Sequence, residues 1–420
     1  MRHHRTVAPS SSSTPGPSAA RPSTLSTGVV GGEGRYRLNE EPALPLRIGG
    51  ARIVPVGPVR TYTCGITPYD VTHVGHASTF VWADLVRSVA HAAGSESVAA
   101  RNVTDVDDVL TRAARSKGWH FDELALTQEF LFDRDMRALS VSSPTLTPRA
   151  RGHVPAVIRL ASALLEAGVA YESEGHVYFR GAGAVQDLGL DRGAALAASE
   201  EYGDQADVPG REDVFDVAVW RPSPEEHPAW PSPWGWGRPG WHAECAAMAL
   251  TSLGSTLDVL IGGADLAFPH HAYQAAMAQA ATSVRPFARA VLHVGEVRHA
   301  GRKMAKSTGN LVLVRDLLER LDPAAIRLAL LHRRWDEPWD CNDEVFAQAA
   351  DVLAGLRAAA SASTTASTTS ADAAAGDGAR QALGMLADDL DVPAAVDLAL
   401  GGGPGSANAA AFLLDVLKLH

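Results

Sequence analysis

The sequence predicts an α/β protein: a parallel-sheet, nucleotide-binding core followed by an α-helical C-terminal domain. Three observations carry this reading. A strand, loop, helix, strand succession runs from Val59 to Val103. That is the βαβ unit of a Rossmann-like parallel sheet, whose ligands gather at the carboxyl ends of the strands. A pair of histidines, His73 and His76, stands at the first strand-to-helix junction. Beyond residue 314 only helical periodicity is visible.

In chain order, residues 1–35 are Ser, Pro, Thr, Ala and Gly with little apolar periodicity, which predicts a disordered tail. Val59 to Cys64 reads as a strand stopped by Gly65 and the turn at Pro68. Phe80, Val81, Leu85, Val86 and Val89 fall at helical spacing within Ala77–Ala93, and Ser97–Val103 reads as the next strand. Asp122–Ala170 is expected to be largely helical, and the Pro- and Trp-rich stretch from Gly203 to Gly240 to be loop. Trp241–Leu253 predicts a helix, Leu257–Ile261 a strand ending at Gly262-Gly263, and His270–Ala281 a helix. Val314–Arg333, Asp343–Leu356 and a last helical pair over Arg380–Leu419 complete the expected end domain. The expected domains are thus a tail over 1–35 and a core over 44–313 with a helical and loop insertion over about 110–237. A helical domain over 314–420 follows, with a low-complexity stretch at 358–378.

Composition narrows the class. A hydrophobic share of 46% and a charged share of 20% fit a soluble globular chain. No run of about 18 apolar residues is present, so no membrane span is expected. Ser and Pro follow Arg2, His3, His4 and Arg5 where a secretory signal needs an apolar stretch, so a cytoplasmic location is expected. A net charge of -11 weighs against a broad nucleic-acid surface. Three cysteines, Cys64, Cys245 and Cys341, make no disulfide framework in 420 residues. They read as core residues, nucleophiles or metal ligands.

Two motifs bear chemistry. His73-Val74-Gly75-His76 opens a helix, where two imidazoles and a close backbone approach face the positive end of the dipole and suit a triphosphate. The chain has only four lysines, and two of them lie in Lys303-Met304-Ala305-Lys306-Ser307. Lysine binds phosphate as a compact charge, and paired lysines on a loop stabilise charge that develops in the transition state. Each motif alone also fits a solvated surface.

Together, in this order and far apart, they resemble the HIGH and KMSKS motifs of the class I aminoacyl-tRNA synthetases, with Ala305 in place of the first KMSKS serine. Tyr62–Thr67, Gly240–Cys245 and Phe268–His271 are similar to segments of the cysteinyl-tRNA synthetases. That resemblance implies one zinc ion per chain on Cys64, Cys245 and His270, with an open position for a cysteine thiolate. Gln274 stands where those synthetases have a fourth ligand, a glutamate. The resemblance, from about Leu44 to Leu419, is nearest to the cysteine:glucosaminyl-inositol ligases of mycothiol biosynthesis, through Cys64–Ala77, Arg101–Asp108 and Arg238–His242. It implies ATP with Mg2+, L-cysteine and an amino-sugar inositol acceptor as partners, without tRNA; a monomer is expected, though the sequence does not fix the oligomeric state. His73, His76, Lys303 and Lys306 would assist adenylate formation. Cys64, Gly65, Ile66, Thr67, Thr79, Asn102, Val103, Thr104, Trp241, Gly263, Ala264, Asp265 and Val297 would line the cysteinyl-adenylate pocket. Glu201–Ala206 departs from the ligases by lacking an arginine, which leaves the acceptor open. A shortened cysteinyl-tRNA synthetase, a ligase for another amine and a non-catalytic amino-acid-binding paralogue remain alternatives.

Overall fold

Four parallel strands form the centre of the molecule, in a computed structural model that describes residues 28–29, 36–37, 43–69, 71–201, 210–225, 227–304, 309–363 and 371–420. They are β1 (Val59–Ile66), β2 (Ser97–Val103), β3 (Leu257–Gly263) and β4 (Ala288–Val294), in the order β4-β3-β1-β2. Register is set by Thr61 opposite both Ala99 and Val259, and by Ile261 opposite Leu292. β3 is an almost unbroken apolar run because both its faces are covered, as in the interior of parallel sheets. The chain leaves β1 toward β2 on one side and enters β3 on the other. The carboxyl ends of β1 and β3 therefore flank the topological switch point where α/β sheets bind ligands.

Helix α1 (Val74–Ala92) makes the first crossover and buries Phe80, Val81, Leu85, Val86 and Val89. It starts three residues before the periodicity predicts. Ala77 N–H donates to His73 O, and Val74 N–H is held by Val312 O at 2.9 Å. Helices α2 (Trp241–Leu253) and α3 (Ala272–Thr282) flank β3, and a π-type turn over Ala267–His271 leads into α3.

The insertion differs from expectation. It carries a four-stranded antiparallel sheet of Ala170–Ser173, His176–Phe179, Val217–Pro222 and Gly237–Pro239. Two of these strands lie inside the stretch expected to be loop, because proline, glycine and tryptophan there obscure the two-residue alternation that marks a strand. The helical stretch from Asp122 is also interrupted. Helices over Phe121–Ala138 and Ala150–Glu166 are separated by an extended segment whose Leu146 and Pro148 carbonyls accept from Arg101 and Val103 N–H at the edge of β2. Pro144 and Pro148 exclude helix there.

The expected helix over Val314–Arg333 is two, Val314–Leu318 and Pro323–Leu331. Asp322 caps the second by accepting from Ala324 N–H, with Pro323 in the first turn. Instead of a final pair, three helices follow: Ala371–Ala387, Val392–Leu400 and Ser406–Val416. The expected linker over 358–378 is helix through Ser363 and again from Ala371; residues 364–370 lie outside the described residues. The expected tail also lies outside them, except for residues 28–29, which pair antiparallel with 36–37.

One apolar cluster joins α1 to the end helices through residues such as Leu85, Val89, Ile326, Leu330 and Leu413. Within it, Asp84 of α1 receives Arg327 at 2.6 Å and Lys418 at 2.8 Å, while Arg327 also donates to the Leu139 and Leu417 carbonyls. Among the described residues, no helix is long and apolar enough to cross a membrane.

Candidate active site

A cavity of about 600 Å³ opens at the carboxyl ends of the central strands. Its floor is built by three side chains from three elements: Cys64 at the end of β1, Cys245 in the second turn of α2, and His270 in the turn before α3. They are buried, and one ligand atom from each lies within 4.8 Å of the others. The donor set fits a zinc ion. Two thiols and an imidazole match its preferred ligands and leave a fourth position open. Burial, then the hydrogen bond and charge of Cys245, pushes the Cys64 thiol well above its ordinary range, so only a cation at this spot would hold it as thiolate. Burial, with His242 and His271 beside it, pushes His270 well down and keeps its imidazole in the neutral, ligating form.

Further histidines surround the floor. His242 Nδ1 lies 2.9 Å from His270 Nδ1, the kind of contact that fixes which ring nitrogen is left for a ligand. His271 Nε2 lies 3.2 Å from Cys64 Sγ, and its Nδ1 is 2.9 Å from His293 Nε2. Burial pushes His293 down to about 4. His242 and His271 lie within segments already singled out by sequence, but His293 sits alone in a strand and no sequence signal marks it. The Gln274 amide oxygen is 3.7 Å from Cys64 Sγ, a neutral neighbour of the proposed ligand.

Above the floor, Gly65 N–H donates to Asn102 Oδ1 at 2.8 Å, and the Thr67 and Thr104 hydroxyls meet at 2.7 Å. These contacts tie the ends of β1 and β2 into one wall. Gly65 is required there, since a Cβ would stand 1.7 Å from the Asn102 carbonyl oxygen. Gly65→Ala is therefore expected to cost about 1–3 kcal/mol of stability, as overpacking does. Thermal unfolding would read this as a clear fall in midpoint, and an unchanged midpoint would show that the strands separate easily.

Ile66, Thr79 and Val297 line the same cavity, with Gly263, Ala264 and Asp265 at the end of β3 and Trp241 at the start of α2. The Trp241 ring stacks on His270 at 4.2 Å between centroids. Val103 does not line it. Its side chain is fully buried and its N–H is engaged by Pro148 O, because alternate residues of a strand face opposite ways. His73 and His76 stack at 3.9 Å on one rim, and a Cβ at Gly75 would come within 3.0 Å of the His73 ring. Lys303 reaches the other rim, where its Nζ meets Glu201 Oε1 at 2.8 Å. Lys306 and most of the Glu201–Ala206 stretch lie outside the described residues. His73 also bridges Leu313 across an antiparallel pairing, which ties the histidine motif to the segment that follows the lysine motif.

Comparison with known proteins follows this geometry. The profile described as "tRNA synthetases class I (C) catalytic domain" matches residues 52–351. The chain is 44% identical over 357 residues to the L-cysteine:1D-myo-inositol 2-amino-2-deoxy-alpha-D-glucopyranoside ligase of Acidothermus cellulolyticus, covering 83% of this chain and 86% of that protein. It is 43% identical to the ligase of the same name from Streptomyces griseus, covering 85% and 90%. Among solved structures, Mycobacterium tuberculosis methionyl-tRNA synthetase with methionyl-adenylate superposes with a TM-score of 0.61 at 17% identity, covering 87% of this chain and 82% of that one. An Agrobacterium radiobacter leucyl-tRNA synthetase in a ternary complex superposes with a TM-score of 0.60 at 10% identity, covering 87% and 84%. At such identities the structures speak for the fold alone.

Proposed function

This chain belongs to the class I tRNA synthetase (C) catalytic-domain family, among relatives that are cysteine:amino-sugar-inositol ligases, and from that premise we propose that it is an ATP-dependent carbon–nitrogen ligase. It activates L-cysteine as cysteinyl-adenylate and transfers it to the amine of 1D-myo-inositol 2-amino-2-deoxy-α-D-glucopyranoside, a step of mycothiol biosynthesis. The observation that carries this reading is the convergence of Cys64, Cys245 and His270 at the floor of a cavity rimmed by His73, His76 and Lys303.

Cys64, Cys245 and His270 would hold one zinc ion, whose open position suits a thiolate and discriminates against the hydroxyl of serine. Such a contact supplies selectivity that a pocket sized for one methylene does not. Trp241 closes the floor, and Asp265 receives the α-ammonium or a ribose hydroxyl. Gly65, Thr67, Asn102 and Thr104 position the adenylate along the strand ends. His73, His76, Lys303 and Lys306 then stabilise the phosphates of Mg-ATP while the cysteine carboxylate attacks the α-phosphorus and pyrophosphate leaves. The acceptor nitrogen attacks the carbonyl carbon of the mixed anhydride, the bond to AMP breaks, and an amide remains.

Incubation with cysteine, Mg-ATP and either the amino sugar or tRNA, read by mass spectrometry, tests the assignment. Equal amounts of AMP and cysteinyl amide are expected. Charged tRNA without amide would make the chain a synthetase, and absence of cysteine-dependent pyrophosphate exchange would make it a binding protein.

A further inference from the structure

Behind the floor of the cavity lies Tyr62, in β1 two residues before Cys64. Alternate residues of a strand share a face, so its ring packs in one apolar cluster with Cys64 and with Cys245, Met248 and Ala249 of α2. The side chain is fully buried and does not line the cavity. Its hydroxyl nevertheless has no hydrogen-bond partner among the described residues. A buried hydroxyl left so is costly, and a phenylalanine ring would fill the same space without it.

Sulfur surrounds that hydroxyl. Burial first, then the charge of Cys245 and after it that of Cys64, push it well above its ordinary range, and Glu244 bears on it least. The two sulfurs are not equally provided for. Cys64 Sγ has the His271 ring at 3.2 Å, whereas the polar group facing Cys245 Sγ is the Tyr62 hydroxyl, close to it but not bonded. A neutral thiol is a weak acceptor. A thiolate held on a cation keeps negative charge and accepts well.

We propose that Tyr62 is a positioning residue for the metal site: its hydroxyl donates to the Cys245 thiolate once zinc is bound, fixing that sulfur so that the open metal position faces the cavity. The inference rests on the zinc reading above and adds to it the group that holds the second sulfur. Tyr62 touches no substrate and acts only through Cys245. Its hydroxyl is thus a burden in the metal-free protein and a bond in the loaded one. Packing alone gives the ring no such dependence on metal.

The test is Tyr62→Phe, which removes one oxygen and keeps the ring, measured beside the parent in the intact chain. Competition with a chromophoric chelator should show zinc bound about tenfold more weakly, as when a ligand loses its outer partner. After the metal is stripped from both proteins, the variant's urea midpoint should equal or exceed the parent's, since an unpaired buried hydroxyl has gone. With Co2+ in place of zinc, loss of a hydrogen bond to the thiolate raises its lone-pair energy. The sulfur-to-metal charge-transfer band should therefore move to longer wavelength. Weaker zinc binding with the shifted band, at a metal-free midpoint no lower than the parent's, supports the proposal, and any other pattern overturns it. A lower metal-free midpoint with zinc affinity within twofold of the parent's would make Tyr62 a packing residue. A parent chain that takes up no zinc overturns the metal reading, and this inference with it.

Discussion

If Cys64, Cys245 and His270 hold zinc as proposed, replacing Cys64 with alanine is expected to strip that ion from the protein and to raise the KM for cysteine in pyrophosphate exchange on the order of a hundredfold or more. Loss of an outer-sphere partner already costs about 10–100-fold at metal sites, and loss of a ligand costs more. The remaining pair, Cys245 and His270, would leave an ion with two protein ligands where three converge now. Cys341→Ala is the matching control. It is equally buried but packs with the end helices away from the cavity, so metal content and the cysteine KM should stay within about twofold of the parent's. Elemental analysis and exchange kinetics on the three proteins decide the matter. Full metal content in Cys64→Ala would remove that residue from the ligand set. Collapse of its circular dichroism spectrum would make the ion a structural staple instead.

Arg327→Met is expected to destabilise the fold by about 3–5 kcal/mol, the usual consequence of breaking a buried ion pair by removing one partner, with Lys418 left as the remaining cation beside Asp84. Arg327 is fully buried and spends its donors on Asp84, Leu139 O and Leu417 O, so one substitution loosens α1, the inserted helices and the chain end together. The effect should depend on pH in a stated direction. Burial alone would raise the Asp84 carboxyl, but Arg327 and Lys418 more than offset it and hold it below its ordinary value near 3.8. A carboxylate whose folded pKa is depressed contributes stability above its unfolded value and loses it as pH falls through the folded one. Urea unfolding should therefore show a wide gap between parent and variant near neutrality that narrows below about pH 4. A gap of constant width down to pH 2.5 would show that Asp84 is not the partner that matters.

The parallel core was legible because its signals are local. Five apolar residues at helical spacing announce α1, a stretch of strand-forming residues ending at Gly65 announces β1, and a short apolar run ending at Gly262-Gly263 announces β3. The inserted antiparallel sheet was not legible. Its strands run four, four, six and three residues, and their stability comes from mutual pairing and from partners such as Trp220 that no single segment discloses. Asp322-Pro323 is a helix start that could have been read; the apolar periodicity running through it hid the break. At the cavity, motifs with a recognisable neighbourhood, such as the His73–His76 pair or Cys245 after Trp241-His242, could be singled out before any geometry. His293 could not. It matters only through a neighbour more than twenty positions away, His271.

The bridge between His73 and Leu313, with Val74 N–H on Val312 O and Val314 N–H on Thr72 O, has a consequence for how the chain is made. These contacts join residues about 240 positions apart, the kind of long-range closure that forms late. On a ribosome the histidine segment emerges early and waits for some 240 further residues before its partner exists. Throughout that interval the rim of the cavity stays incomplete. A chain interrupted before Leu313 would therefore carry the proposed metal ligands and most of the cavity walls while lacking the tie between the histidine segment and the segment after the lysines. Truncated nascent chains of increasing length should gain metal first and nucleotide turnover last.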